Sequence, residues 1–325
     1  MSTATPVPET WELTGDDARQ LLLHTGRRTL IRDAFQRLRS ADGFSHARSL
    51  AFVLALVLVQ AIIALVGLAA ALGKTGASDL IVRSIEAAAP GPAGQLLTSA
   101  VQQAHAAGAS GRYTALWLGL AGAIVTGTTM FGQFERALNR LYGVEKDRPT
   151  VQKYGRAFVL VLTVGVLSVL AFTALALGRA VGEGLEDDAI ADVWAILRWP
   201  AALLLMMAAM ALLFRWSPRR HQPSWSWLAF GASISVLLWT LVTLGLGLFF
   251  RLSTSFGDTY GPLAGIVALL LWSLLSSVAV LFGAAVAAQL EAVRAGVPAP
   301  QDAEKIEHSE PASEQVQSRP IAAAR

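Results

Sequence analysis

Six apolar stretches, each close to the length that crosses a bilayer core, constrain this chain more than any other feature. They run over 49–73, 113–131, 157–178, 194–214, 227–250 and 262–290. About 20 apolar residues in a helix span the hydrocarbon layer, and lipid offers the backbone no hydrogen-bond partner, so such stretches must pair their own N–H and C=O groups as helices. Only the fourth carries a formal charge. This is Arg198, one turn inside the start beside Trp199 and Pro200, where a long side chain reaches the headgroups. Composition agrees, with 54% hydrophobic and 15% charged residues against roughly 25% charged in soluble domains. The expectation is an all-α integral membrane protein with six transmembrane helices in one domain over 49–291.

Lysine and arginine counts orient the spans. They run seven before the first stretch, then three, six, one, three and one in successive loops, and the richer loops belong on the cytoplasmic side. Both termini are therefore expected in the cytoplasm of a multi-pass plasma (inner) membrane protein. Residues 1–48 lack an apolar core followed by a small-residue cleavage site, so the first span is read as an uncleaved signal anchor. Trp194 and Trp199 outside, and Trp216, Trp225 and Trp227 inside, mark the two interfaces.

Outside the spans, residues 14–48 read as a basic amphipathic helix on the membrane surface. Leu21, Leu22, Leu30, Ile31, Ala34, Phe35 and Leu38 recur at helical spacing between Arg27, Arg28, Arg32, Arg37 and Arg39. Thr14 and Asp17 supply a short-carboxylate capping box at its start. The outer loop 74–112 is expected to hold two helices, the first starting near Ser78 and broken at Ala89-Pro90-Gly91-Pro92, the second running from Pro92 to Gly108. Residues 1–13 and 292–325, rich in Pro, Ala, Glu and Gln without periodicity, read as disordered tails.

Two stretches carry a resemblance. FERALNRLYGVEKDRP, from Phe134 to Pro149, and YGPLAGIVALLLWSLLSSVAVLFGAAVAAQLE, from Tyr260 to Glu291, resemble the YihY/BrkB family of envelope proteins. The likeness extends loosely over about 28–295 and implies six membrane helices. Where that family has a Ser-Leu-Phe-Pro step in the first helix and Gly-Ala-Glu in the last, this chain has Gln60 and Ala285. A mechanism built on that glutamate does not transfer, nor does a proline kink.

Candidate functional residues fall into three groups. Gln60, Thr126, Thr128, Thr129, Thr240, Thr243, Ser273, Ser276 and Ser277 are polar side chains inside spans; they line a substrate path or bond their own backbone and neighbouring helices. Glu135, Arg136, Asn139 and Arg140 share neighbouring faces after the second span and meet lipid headgroups or one another. Asp258 and Tyr260 lie in the outer turn before Pro262, where an aspartate caps the last helix or faces a substrate. Gly283 and Ala287 have the small-xxx-small spacing of close helix packing, here expected within one bundle.

An older label for relatives of the family is ribonuclease BN. The five histidines, His24, His46, His105, His221 and His308, are scattered, and no HEXXH, P-loop or serine elbow occurs. With no cysteine, thiolate chemistry and cysteine-held metals are excluded. The expected role is non-enzymatic, without cofactor or nucleic-acid partner. The protein is expected to move or organise a lipid-like envelope component, with membrane lipids and other envelope proteins as partners. A structural scaffold is the alternative and ribonuclease the third reading.

Overall fold

A computed structural model describes residues 2–10, 13–71, 77–183, 188–253 and 255–302. Ten α-helices account for nearly all of it: α1 (Gly15–Thr25), α2 (Arg27–Ser40), α3 (Gly43–Ala71), α4 (Ala77–Ala88), α5 (Gly91–Leu141), α6 (Thr150–Glu183), α7 (Asp188–Trp216), α8 (Trp225–Leu252), α9 (Ser255–Tyr260) and α10 (Ala264–Arg294). Among the described residues, five helical stretches are long and apolar enough to cross a membrane: Gly43–Leu68, Thr150–Phe172, Ile196–Trp216, Trp225–Leu252 and Ala264–Arg294. The expected second span lies inside α5 and is not one of the five.

The N-terminal region differs from a single surface helix. Asp17 accepts from the Thr14 backbone N–H at 2.8 Å, as the capping box requires. The helix then breaks at Gly26, whose φ of 83° is open to glycine, and the first long helix begins at Gly43 rather than at residue 49. α2 buries Leu30, Ala34 and Leu38, leaving Ile31 and Phe35 outside. The expected outer-loop break falls where Ala89 and Pro90 separate α4 from α5. The second helix does not stop at Gly108. It continues without interruption to Leu141, since one glycine in a helix costs only about 1 kcal/mol and no proline or cap follows.

Close packing rests on glycines. A Cβ on Gly119 of α5 would meet the Ala64 backbone nitrogen of α3 at 2.5 Å, and one on Gly67 of α3 would meet the Leu116 nitrogen at 2.6 Å. Gly283 of α10 lies against Ser235 and Gly231 of α8, so the small residues of the last helix serve contacts inside this chain. Such approaches suit lipid, where packing rather than water exclusion drives helices together. Trp216 and Trp225 are exposed at helix ends and Trp199 is exposed within α7, whereas Trp227 is buried in the bundle and is no interfacial anchor.

Candidate functional site

At the arginine-rich end of the bundle, the sequence turns a helix terminus into a polar knot. α5 finishes in a Schellman motif: Gly143 N–H donates to Arg140 C=O and Val144 N–H to Asn139 C=O. Gly143 has a φ of 71°, and a Cβ there would strike Pro6 Cα at 2.6 Å, so the position demands glycine twice over. The turn brings Asp147 and Arg148 back onto the helix they follow. Glu135, 3% exposed, accepts from both the Arg148 backbone N–H and its guanidinium at 3.1 Å. Arg148 also donates to the C=O groups of Ser217 and Pro218 at 2.7 and 2.6 Å, tying α5 to the turn between α7 and α8. Burial lowers the Arg148 pKa, and the Glu135 carboxylate opposes that shift.

Asn139 is buried and spends both ends of its amide. It donates to Asp147 at 3.0 Å and accepts from the Arg219 backbone N–H at 2.7 Å. Arg136 and Lys153 reach Asp147 at 3.1 and 3.0 Å. Burial pushes the Asp147 carboxyl up, but hydrogen bonds from Asn139, Lys153 and Arg136 outweigh it and hold the group at about 2. Arg140 caps the Val144 and Glu145 carbonyls. All four residues expected to meet headgroups, Glu135, Arg136, Asn139 and Arg140, are thus brought together, and they bond protein groups.

Beside this knot lies a deeper group that the spacing of the sequence did not indicate. Arg37, the α2 arginine that faces inward, is fully buried. Its Nε donates to Gln289 at 2.7 Å and its Nη1 to the C=O groups of Thr5 and Leu141 at 3.0 and 3.1 Å. Burial lowers its pKa to about 10, so it remains a cation at neutral pH. Arg220 pairs with the buried Glu291 at 2.6 Å and stacks on the Tyr142 ring at 4.4 Å. Burial, followed by the Glu291 charge, pushes the Tyr142 hydroxyl pKa up, leaving it a neutral donor. Glu291 ended one of the two familiar stretches, and Asp147 and Arg148 the other; their partners come from distant parts of the chain.

Residues 2–10, expected to be a disordered tail, run extended over this end instead. Thr3 N–H donates to Ser40 C=O, Val7 N–H to Tyr142 C=O and the Thr10 hydroxyl to Glu291 at 2.6 Å. Residues 295–302 lie alongside, with Ala4 bridged to Gln301 and Asp302 N–H donating to Thr3 C=O. Buried Ala4 and Val7, backed by these backbone bonds, supply what the residue composition did not reveal. The remainder of the C-terminal tail lies outside the described residues.

In the middle of the bundle the polar residues are isolated. Thr129 and Thr240 donate to the carbonyls of Val125 and Val236, four residues back, and Ser277 to Ser273 C=O. Thr243 accepts from the Trp272 indole at 3.1 Å. Gln60 packs its amide onto Gly122, where a Cβ would come within 3.0 Å. Its Oε1, with the Oγ atoms of Ser273 and Ser276, is buried without a hydrogen-bond partner among the described residues. Thr126 and Thr128 are half-buried on α5. At the other end Tyr260 is exposed and stacks on Phe256 at 4.8 Å. Asp258 falls within α9, its side chain lying outside the described residues, and Leu263 occupies the N-cap of α10. Among the described residues no three His, Asp or Glu side chains converge as a metal ion would require.

These features define a multi-pass helical membrane protein with several transmembrane helices, an apolar middle and a charged, interlocked end. The chain belongs to the Virulence factor BrkB family, whose sequence profile matches residues 34–307. It is similar to the putative ribonuclease-like protein YfkH of Bacillus subtilis, 24% identical over 81% of this chain and 95% of that one. It is also similar to UPF0761 membrane proteins of Rhodospirillum rubrum, 31% identical over 58% of this chain and 42% of that one, and of Rhodospirillum centenum, 28% identical over 82% and 58%. The alignments thus cover about half the length of those two UPF0761 relatives. No solved structure matches the chain.

Proposed function

We propose that this protein moves or organises a lipid-like component of the envelope, without enzymatic chemistry, in the plasma membrane. The observation that carries the reading is the set of open hydrogen-bonding positions in the bundle: Gln60 Oε1, Ser273 Oγ and Ser276 Oγ are buried and unbonded among the described residues. α3 from Leu50 to Ala71 and α10 from Ala264 to Leu290 carry no charged residue. An apolar route with a few neutral polar steps suits an amphipathic cargo better than an ion, which needs charged or densely polar coordination. The test is transbilayer movement of labelled phospholipid in proteoliposomes. The wild-type protein should accelerate it over empty vesicles, and a combined Gln60→Leu, Ser273→Ala, Ser276→Ala variant should lose that acceleration. No acceleration by the wild type would sink the reading.

Six spans with both termini in the cytoplasm are part of the proposal, α5 supplying the sixth crossing. The chain has no cysteine, which makes single-cysteine labelling clean. Lys146→Cys should react with an impermeant reagent only from the cytoplasmic side, and Gln102→Cys only from outside. A scaffold role is the second reading, favoured by the interlocked arginine-rich end, where Glu135, Asp147 and Glu291 are each paired with a cation from another part of the chain. Ribonuclease action is the third; RNA cleavage by purified protein above a detergent blank would promote it.

A further inference from the structure

We infer that Arg37 and Arg220 form a binding site for a singly charged phosphoryl group, and that residues 2–10 lie across it as a movable cover. The inference goes beyond lipid movement and does not depend on it.

Of two buried guanidiniums, Arg220 pairs with the one buried carboxylate, Glu291, and Arg37 with none; the adjoining Tyr142 is neutral, so the group carries one uncompensated positive charge. Arg37 has no carboxylate within ion-pair distance among the described residues. Burying a cation without a counter-ion is costly, and a monoanion would balance this group.

Arg37 Nη2 and Arg220 Nη1 are both buried without an acceptor, and Glu291 Oε2 without a donor, among the described residues; Arg37 bonds Leu141 C=O and Arg220 stacks on the ring of the next residue, Tyr142. The two arginines come from different elements, α2 and the turn before α8. A tetrahedral phosphoryl group offers oxygens in several directions, whereas a carboxylate offers two in one plane, and guanidinium forks suit phosphate.

The current acceptors include neutral backbone carbonyls of the N-terminal segment: Thr5 C=O for Arg37 and Pro8 C=O for Arg220, at 3.0 and 3.1 Å. An anionic oxygen accepts more strongly than a carbonyl from the same donor. A phosphoryl group can therefore take these donors over, and the segment must lift to admit it. Free phosphate and a phospholipid headgroup share this chemistry.

The test uses the full-length protein in a neutral detergent, titrated by calorimetry. The probes are inorganic phosphate, dihexanoyl phosphatidylglycerol, and sodium acetate at matched ionic strength. Saturable binding of phosphate assigns the site to the free anion, and binding of the short-chain lipid alone assigns it to a headgroup; either supports the inference. Arg37→Gln should weaken binding at least about tenfold, the loss expected for a charged hydrogen bond. Glu291→Gln, which removes the competing negative charge, should tighten it. If Arg37→Gln does not fold, Glu291→Gln decides, and unchanged affinity there overturns the inference. It is equally overturned if neither phosphoryl probe saturates, or if acetate binds as well as phosphate. Binding is read without transport, so failure here leaves the lipid-movement proposal standing, and failure of transport leaves this one standing.

Discussion

The arginine-rich end and the middle of the bundle solve opposite problems with opposite residues. At the end, Glu135, Asn139, Asp147, Arg148, Arg220 and Glu291 are held by bonds of 2.6–3.1 Å, so position is fixed by directional contacts. In the middle, Gly119, Gly67, Gly231 and Gly283 fix position by shape, letting helix backbones touch, while the polar side chains bond their own helix or one neighbour, or stand unbonded. Directional bonding tolerates almost no loss of a partner. Shape packing tolerates loss of a hydroxyl but not gain of a methyl group.

The contrast can be broken from either side. Glu291→Ala strands buried Arg220 beside Arg37, and thermal or denaturant unfolding in detergent should show a loss of about 3–5 kcal/mol; a loss below 1 kcal/mol would mean that the ion pair is solvated. Gly119→Leu drives a side chain into the α3 backbone and should cost about 1–3 kcal/mol or more. Gly245→Ala, at a glycine with nothing within 4 Å, should be neutral or slightly stabilising. Equal effects at the two glycines would refute packing by shape.

The third prediction concerns acid. The Asp147 carboxyl is held at about 2 against an ordinary 3.8. A carboxyl lowered by folding contributes stability above about pH 4 and loses it as pH falls toward 2. Asp147→Asn should therefore flatten that part of the stability curve, by no more than about 1 kcal/mol for a group that solvent partly screens. The smallest effect is expected in the middle. Ser276→Ala removes an unbonded hydroxyl and should change stability by less than about 0.5 kcal/mol, although it should reduce lipid movement. If the same substitution destabilises strongly, Ser276 has a structural partner and the path reading weakens.

Legibility in the sequence followed the range of the interaction. The long helices of the bundle could be read from runs of apolar residues, because crossing lipid is a local requirement on 20 consecutive positions. The capping box at Thr14 and the break at Pro90 are local as well. Arg37 with Gln289, Glu291 with Arg220 and Thr10, and Arg148 with Ser217 join residues scores to hundreds of positions apart, and no spacing rule points to them. Residues 2–10 are hidden for the same reason: their order comes from backbone bonds to Ser40, Tyr142 and Pro300, not from any periodicity of their own. Gly108 is a different case, a glycine that resembles a helix stop while the residues after it continue the helix.

α5 has a mechanical consequence. Its 51 residues make a rod about 76 Å long, more than twice the hydrocarbon thickness. One end packs Ala93 and Leu97 beside Ile85 of α4, and the other carries Glu135, Asn139 and Arg140. One uninterrupted helix therefore ties the α4 end to the charged knot, and Gly119 seats it on the α3 backbone between the two.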